Sequence, residues 1–96
     1  MDKRKALAAL ASLAQKTRLD VFRLLVTAGP AGLPAGNLAA EMSVPPNTLS
    51  FHLAHLRNAG LIRCRRQGRQ VIYAADYGRA QGLLGYLTDN CCKRCA

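Results

Sequence analysis

Asn47-Thr48-Leu49-Ser50-Phe51-His52-Leu53-Ala54-His55-Leu56-Arg57-Asn58-Ala59-Gly60-Leu61-Ile62 reads as one amphipathic helix with a sharp stop and the first step into a strand. At about 100° per residue, Leu49, Leu53 and Leu56 fall within about 60° of one another and form the side that must be buried. Opposite them stand Asn47, Phe51, Ala54, His55 and Asn58, with Ser50 at the edge. Pro45-Pro46 just upstream imposes an extended approach. Pro46 suits a first helical position, because the N–H it lacks is one the helix would leave unpaired. Gly60 closes the element.

Upstream, Pro34 sits where a helix can begin, and Leu38, Ala39 and Met42 give about two turns of apolar face before Ser43. Two short helices separated by so few residues form a helix-turn-helix. Before them, Thr17 to Ala28 carries Leu19, Phe22, Leu25 and Val26 at helical spacing and stops at Gly29-Pro30, leaving residues 29–34 as a loop. Leu7, Leu10 and Leu13, flanked by Ala6 and Ala14, describe a first helix in which alanine permits close approach to a neighbour. Downstream, Leu61-Ile62-Arg63-Cys64-Arg65-Arg66 and Gln70-Val71-Ile72-Tyr73-Ala74 alternate around Gln67-Gly68-Arg69, which predicts a β-hairpin. Asp76 to about Asn90 returns to helical spacing through Leu83, Leu84 and Leu87, with Tyr86 beside them. The expected architecture is mainly α with a β-hairpin wing, in the order α-α-α-α-β-β-α, as one domain over residues 1–96.

The 96 residues include 14 Lys and Arg against 5 Asp and Glu, a formal charge of +9. A chain of this length buries roughly 60–70% of its unfolded surface and has no room for a separate catalytic domain. So positive a domain calls for an anionic partner, which points to nucleic acid ahead of an anionic membrane surface. No apolar run approaches the roughly 18–20 residues that span a bilayer, so no membrane role is expected. Met1-Asp2-Lys3-Arg4-Lys5 is charged like the start of a signal peptide, but the stretch from Ala6 to Ala14 runs into Gln15-Lys16 without a cleavage site and reads as a cytoplasmic helix. Of the four cysteines, Cys91, Cys92 and Cys95 crowd into five residues, poor geometry for a disulfide scaffold and better suited to reduced thiols that take a soft metal. No Ser-His-Asp or Cys-His arrangement and no phosphate-cradling glycine loop is present, and the few carboxylates are scattered, so an enzyme is not expected.

A helix face made of amides, hydroxyls and an imidazole around a small Ala54 can enter a major groove and reach base edges. The same residues on an isolated helix would be an ordinary solvated surface; the short helix before and the basic hairpin after favour DNA. Asn47, Thr48, Ser50, Phe51 and His55 are therefore candidate DNA contacts, with Phe51 placed to meet a thymine methyl. Arg63, Arg65, Arg66 and Arg69 concentrate charge on the hairpin beyond anything folding requires, and guanidinium forks match phosphate oxygens and narrow minor grooves. A charged edge strand that merely resists aggregation is the competing account. His52, at the edge of the apolar side, is read as a hydrogen-bonded structural residue, and Cys64, sharing a strand face with Ile62, as a buried inert thiol.

The run Ala8-Ala9-Leu10-Ala11-Ser12-Leu13-Ala14-Gln15-Lys16-Thr17-Arg18-Leu19, then Asn37-Leu38-Ala39, then the pattern from Ser50 through His52-Leu53, Leu56-Arg57 and Gly60-Leu61, resembles the arsenic-repressor (ArsR/SmtB) family of bacterial winged-helix regulators over nearly the whole chain. The resemblance implies a cytoplasmic homodimer, paired through its first and last helices, that holds double-stranded operator DNA and represses transcription until an inducer binds. Leu7, Leu10, Leu83, Leu84 and Leu87 are the expected intersubunit layer.

Two of the sensory sites known in that family have no counterpart here. A Cys-Val-Cys motif in the third helix would fall near Pro34-Ala35-Gly36, where no cysteine stands. In the last-helix zinc site Asp76 matches, but Gly78, Asp89 and Cys92 occupy positions that call for other ligands. Cys91, Cys92 and Cys95 remain. On a continued helix Cys95 would neighbour both of the others at i+4 and i+3, while Cys91 and Cys92 would diverge by about 100°. Three soft thiolates without histidine suit a thiophilic three-coordinate centre, and the family resemblance points the same way, to trivalent arsenic as arsenite, with antimonite as its congener. Lys93 and Arg94 favour thiolate whereas the negative end of a helix disfavours it. A thiol redox switch of the same fold and a thiol metal carrier are the competing functions. In the redox case a vicinal Cys91–Cys92 bridge would be strained, which makes Cys95 the resolving partner.

Overall fold

Of the five helices among the described residues, all but the third begin where the sequence either supplies a partner for an unpaired N–H group or removes the need for one. In the computed structural model, which describes residues 1–94, α1 (Lys3–Leu13) is capped by Asp2, whose carboxylate accepts from the Lys5 amide at 2.8 Å. The Gln15 side chain does the same for α2 (Lys16–Ala28), accepting from the Arg18 amide at 2.8 Å. A two-residue strand β1 (Leu33–Pro34) leads into α3 (Ala35–Met42), and α4 (Pro46–Asn58) starts with proline in its first turn. Strands β2 (Ile62–Gln67) and β3 (Gln70–Ala75) form the hairpin, and Asp76 caps α5 (Tyr77–Thr88).

The three strands are antiparallel in the order β1-β3-β2. The hairpin register pairs Ile62 with Ala75, Cys64 with Tyr73 and Gln67 with Gln70, leaving Gly68-Arg69 as the turn. The strand β1 lies in a stretch expected to be loop. Two residues are too few to show alternation, and what places them is Gly32, at φ +73°, whose missing Cβ would lie 2.2 Å from the Tyr73 carbonyl oxygen. Only glycine allows the chain to run that close to β3. Pro34, expected as a first helical residue, is the last residue of β1 and precedes α3.

Leu49, Leu53 and Leu56 of α4 are all buried, against Leu25 and Val21 of α2, Leu38 of α3 and Leu61 after the Gly60 turn. The apolar face of α2 lies differently from the expectation, and α1 turns small residues inward. In α1 the core takes Ala6, Ala9 and Ser12, and Leu7 and Leu10 point outward. In α2 Val21 joins Phe22 and Leu25 inside, while Leu19 and Val26 are exposed. The small side chains let α1 pack closely on α2 and α4. One further expectation is corrected. Leu83 is buried in the protomer's own core, so among the five proposed intersubunit leucines it is not available for pairing, whereas Leu7, Leu10, Leu84 and Leu87 are exposed.

Asp76 joins the wing to the last helix. Its carboxylate accepts from the Arg79 amide at 2.9 Å and pairs with Arg63 Nε at 3.2 Å. The amide bond, then the Arg63 hydrogen bond and charge, outweigh burial and hold the carboxyl below its ordinary 3.8. A lowered carboxyl contributes stability above the unfolded value that is lost as pH falls through the folded one. Asp76→Ala is therefore expected to lower stability by about 1 kcal/mol at neutral pH, as loss of a helix cap does. The difference from wild type in urea unfolding should shrink on acidification below pH 3.8; a deficit that is the same at acid and neutral pH would contradict the assignment.

Candidate nucleic-acid interface and thiol site

Helices α3 and α4 meet through a turn in which Ser43 takes a left-handed conformation at φ 53° and its amide closes on Ala39 and Ala40 carbonyls. The buried leucines fix the rotation of α4, so Asn47, Thr48, Ser50, Phe51, Ala54 and Asn58 remain exposed. Phe51 is 66% exposed, with its ring edge-on to His52 at 5.7 Å. The Asn47 side chain accepts from the Thr48 amide at 3.0 Å, which orients it at the start of the helix.

His55 departs from the expected groove face. It is half-buried and its Nδ1 lies 3.1 Å from Ser12 Oγ, so the ring is turned toward α1. The cause is the wheel position itself: His55 sits on the flank of α4 that faces α1, and His52, one turn before it, faces Arg18 of α2. His52 is hydrogen-bonded as expected, with Arg18 Nη1 donating to its Nδ1 at 3.3 Å.

The pleat of the hairpin sorts the four arginines. Arg63 and Arg65 share one face, Arg66 lies on the other with Ile62 and Cys64, and Arg69 is in the turn. Arg63 is held by Asp76, and Arg65 Nη2 donates to the Ala31 carbonyl at 2.9 Å. Arg66 and Arg69 are exposed and have no side-chain partner among the described residues. The two arginines nearest the hairpin tip are therefore the ones left without such a partner, while the two nearer its base are anchored. Cys64 is half-buried rather than enclosed, and its sulfur accepts from Arg57 Nη1 at 3.3 Å. Arg57 joins the end of α4 to the wing, a link that the helical wheel alone did not single out because its partner lies across the Gly60 turn.

The thiol cluster begins after the last helix rather than on it. α5 ends at Thr88, and residues 89–94 form turns in which Asn90 and Cys92 are left-handed, at φ 61° and 65°. The Cys91 amide reaches back to the Thr88 carbonyl at 3.0 Å and Lys93 to Asn90 at 3.2 Å. Cys91 and Cys92 are exposed and free, with sulfurs 3.4 Å apart. The 100° divergence expected on a helix thus does not apply, because the turn brings the two thiols together. Cys95 lies outside the described residues, and among those described there is no group of three potential metal ligands.

Also among the described residues, no helix is long and apolar enough to cross a membrane. Comparison with known proteins places the whole assembly. Residues 13–65 match a helix-turn-helix domain family. The chain is 28% identical over 83 residues to the transcriptional activator HlyU of Vibrio cholerae serotype O1, covering 86% of this chain and 74% of that protein. The solved structure of HlyU from Vibrio cholerae N16961 is similar with a TM-score of 0.71 at 30% identity, over 91% of this chain and 97% of that one. An ArsR-like transcriptional regulator from Rhodococcus sp. RHA1 superimposes with a TM-score of 0.77 at 25% identity, over 88% and 76% of the two chains. These relatives are regulators of transcription. With its helix-turn-helix, its outward polar α4 and its arginine wing, the chain belongs to the ArsR/HlyU family of winged helix-turn-helix transcriptional regulators.

Proposed function

We propose that this regulator is a cytoplasmic, homodimeric repressor that leaves its operator when trivalent arsenic, as arsenite or antimonite, is captured by Cys91, Cys92 and Cys95. The observation that carries the reading is the pair of free, exposed sulfurs 3.4 Å apart. That gap is within the span of two thiolate bonds of about 2.3 Å each to one ion. A third thiol follows three residues after Cys92. Soft sulfur ligands without imidazole select a thiophilic centre over hard cations. Same-chain capture follows from the spacing, since three thiols within five residues can meet without help from a partner.

In this reading α4 enters the major groove, with Asn47, Thr48, Ser50 and Phe51 toward the bases, and the wing grips phosphate. Capture reorders the segment after Thr88, next to the exposed Leu84 and Leu87, and so shifts the population of dimers away from the spacing that fits two half-sites. An inducer achieves this only by binding the DNA-incompetent state more tightly. A preference of about 100-fold corresponds to roughly 2.7 kcal/mol per site.

The test is binding to a duplex selected by the protein from a random-sequence library, titrated in reductant with arsenite, antimonite, cadmium and zinc. Release by arsenite and antimonite at concentrations where zinc is inert is expected; release by none of them sinks the reading. Transcription from the same duplex should fall when protein is added, whereas the Vibrio relative is named an activator. The proximity of Cys91 and Cys92 also favours a thiol redox switch, which predicts release by a disulfide-forming oxidant but not by arsenite. A thiol metal carrier would bind arsenite without selecting any duplex.

Arg66→Ala and Arg69→Ala are expected to weaken binding to all sequences alike and to reduce the salt slope by about 1 for each phosphate that is no longer neutralised. Substituting Asn47 or Ser50 should instead erode discrimination, by about 1–3 kcal/mol for each base pair that the side chain reads. Wing variants with an unchanged salt slope would refute the electrostatic role.

A further inference from the structure

The helix offered to DNA is tied to α1 and α2 by a polar chain that faces away from the groove. Ser12, at the end of α1, is fully buried and is the single buried polar residue among the described residues. Its hydroxyl lies 3.1 Å from His55 Nδ1, and its carbonyl accepts from Arg18 Nε at 2.7 Å. Arg18 Nη1 continues to His52 Nδ1 at 3.3 Å. His52 and His55 are three residues apart, so both lie on one flank of α4, and the chain Ser12-Arg18-His52 with the branch Ser12-His55 holds that helix at two points one turn apart.

We infer that Ser12, Arg18, His52 and His55 are positioning residues that set how α4 is presented to DNA, and that they do so only while His52 is neutral. The inference rests on α4 being the DNA-reading helix. Arg18 can only donate and does not lose its charge, so His52 must offer the lone pair of Nδ1 and carry its proton on Nε2. A second ring proton would go to Nδ1, setting an N–H against the guanidinium N–H groups and a new positive charge beside Arg18. The groups around the ring give no compensation. α2 presents Arg18, α4 presents His55 and the uncharged Phe51, and α1 contributes the neutral Ser12. Burial first, then Arg18 and His55, hold His52 below its ordinary 6.5. For a histidine with a lowered folded value, the link is complete above the unfolded value and is lost as pH falls through the folded one.

The chain has a second consequence. Ser12 shares α1 with the exposed Leu7 and Leu10, so the polar links run from the helix that carries a candidate pairing surface directly to the groove helix. A shift of α1 therefore reaches the His52–His55 turn through hydrogen bonds, at His55 from Ser12 and at His52 by way of Arg18 of α2, in addition to the apolar packing of Ala6 and Ala9.

The experiment measures binding of the full chain to its selected duplex and to random DNA at constant ionic strength, from pH about 7.5 down to about 5.5, a range that brackets ordinary histidine titration. Three proteins are compared: wild type, His52→Asn, whose side-chain carbonyl can accept from Arg18 without titrating, and His52→Leu, which cannot accept. Wild type is expected to lose roughly ten-fold or more of its selective affinity on acidification, a change of about 1.4 kcal/mol. His52→Asn should hold its affinity, and His52→Leu should bind weakly throughout while retaining wild-type circular dichroism. Nitrogen-15 spectra of the wild-type rings at neutral pH should show His52 protonated on Nε2 alone. Coincident pH profiles for wild type and His52→Asn, wild-type selectivity in His52→Leu, or a proton on Nδ1 would each overturn the proposal. If wild type fails to prefer its selected duplex even at neutral pH, the DNA-reading assignment of α4 itself fails, an outcome distinct from selective binding with coincident profiles.

Discussion

Cys91→Ser and Cys92→Ser are each expected to bind the selected duplex as wild type does and to stay bound at arsenite concentrations that release wild type completely. Serine keeps the size of the side chain, but its hydroxyl does not ionise in this range and is a hard ligand, so it cannot replace a thiolate on a soft centre. Both residues are exposed and lie after the last helix, where neither contributes to the core. Folding and DNA contact should therefore be unaffected, and the whole effect should fall on the inducer. If capture supplies roughly 2.7 kcal/mol of coupling, losing it moves the arsenite dependence by about 100-fold, which in practice is loss of response. Cys95→Ser should follow them, and its effect reports whether two thiols suffice. Cys64→Ser is the control. Its sulfur lies on β2 against Arg57, on a different element from the pair, and the variant should still respond. Arsenite that releases a Cys91, Cys92, Cys95 triple serine variant as well as wild type would place sensing elsewhere.

Much of the fold could be read from residue types because the decisive positions were strongly one-sided. Leu49, Leu53 and Leu56 allow one rotation of α4, and Gly60 and Gly68 mark the bends that separate helix, strand and strand. In the same way Asp76 sits where a cap is needed. The sequence was less informative where apolar residues surround a helix. In α1 leucines and alanines alternate around most of the circumference, so periodicity alone does not say which set is inside. Packing against α2 and α4 selects Ala6, Ala9 and Ser12, because only small side chains allow so close an approach. A serine in register with two alanines, at i+3 and i+6, was the available sign of the polar chain to His52 and His55. The stop of α5 had no comparable sign, since neither glycine nor proline follows Thr88; the chain leaves the helix at Asp89, whose ψ is 135°, and left-handed Asn90 and Cys92 shape the turns beyond it. Arg57 and Cys64 meet only because the chain reverses at Gly60, and pairs of that kind belong to tertiary structure.

The exposed leucines of α1 and α5 lead to the second large effect. Leu83 and Leu84 are adjacent and thus about 100° apart on the helix, so one can be buried in the protomer while the other faces out. Leu83 is 6% exposed and Leu84 57%, with Leu87 at 55% and, on α1, Leu7 at 59%. α1 and α5 touch within the protomer, and each carries exposed leucines. A monomer gains nothing from holding them in water, and an isologous contact would bury each of them twice, once per subunit. Leu84→Glu should therefore convert the proposed dimer to monomer in sedimentation. Each leucine removed takes away about 1.5–3 kcal/mol of burial, symmetry doubles it, and the carboxylates add a desolvation cost, so pairing should weaken by more than about 100-fold. Selective DNA affinity should fall by a similar factor, because a monomer engages one half-site and forfeits the effective concentration of the second. Glutamate is a good helix former and position 84 is outside the protomer core, so circular dichroism should be unchanged. Leu84→Ala, which shortens the side chain without charging it, should give an intermediate dimer. A Leu84→Glu protein that sediments as a dimer would show that subunits meet elsewhere, and one that is monomeric yet binds its duplex with undiminished selectivity would show that pairing is not what positions the two recognition helices.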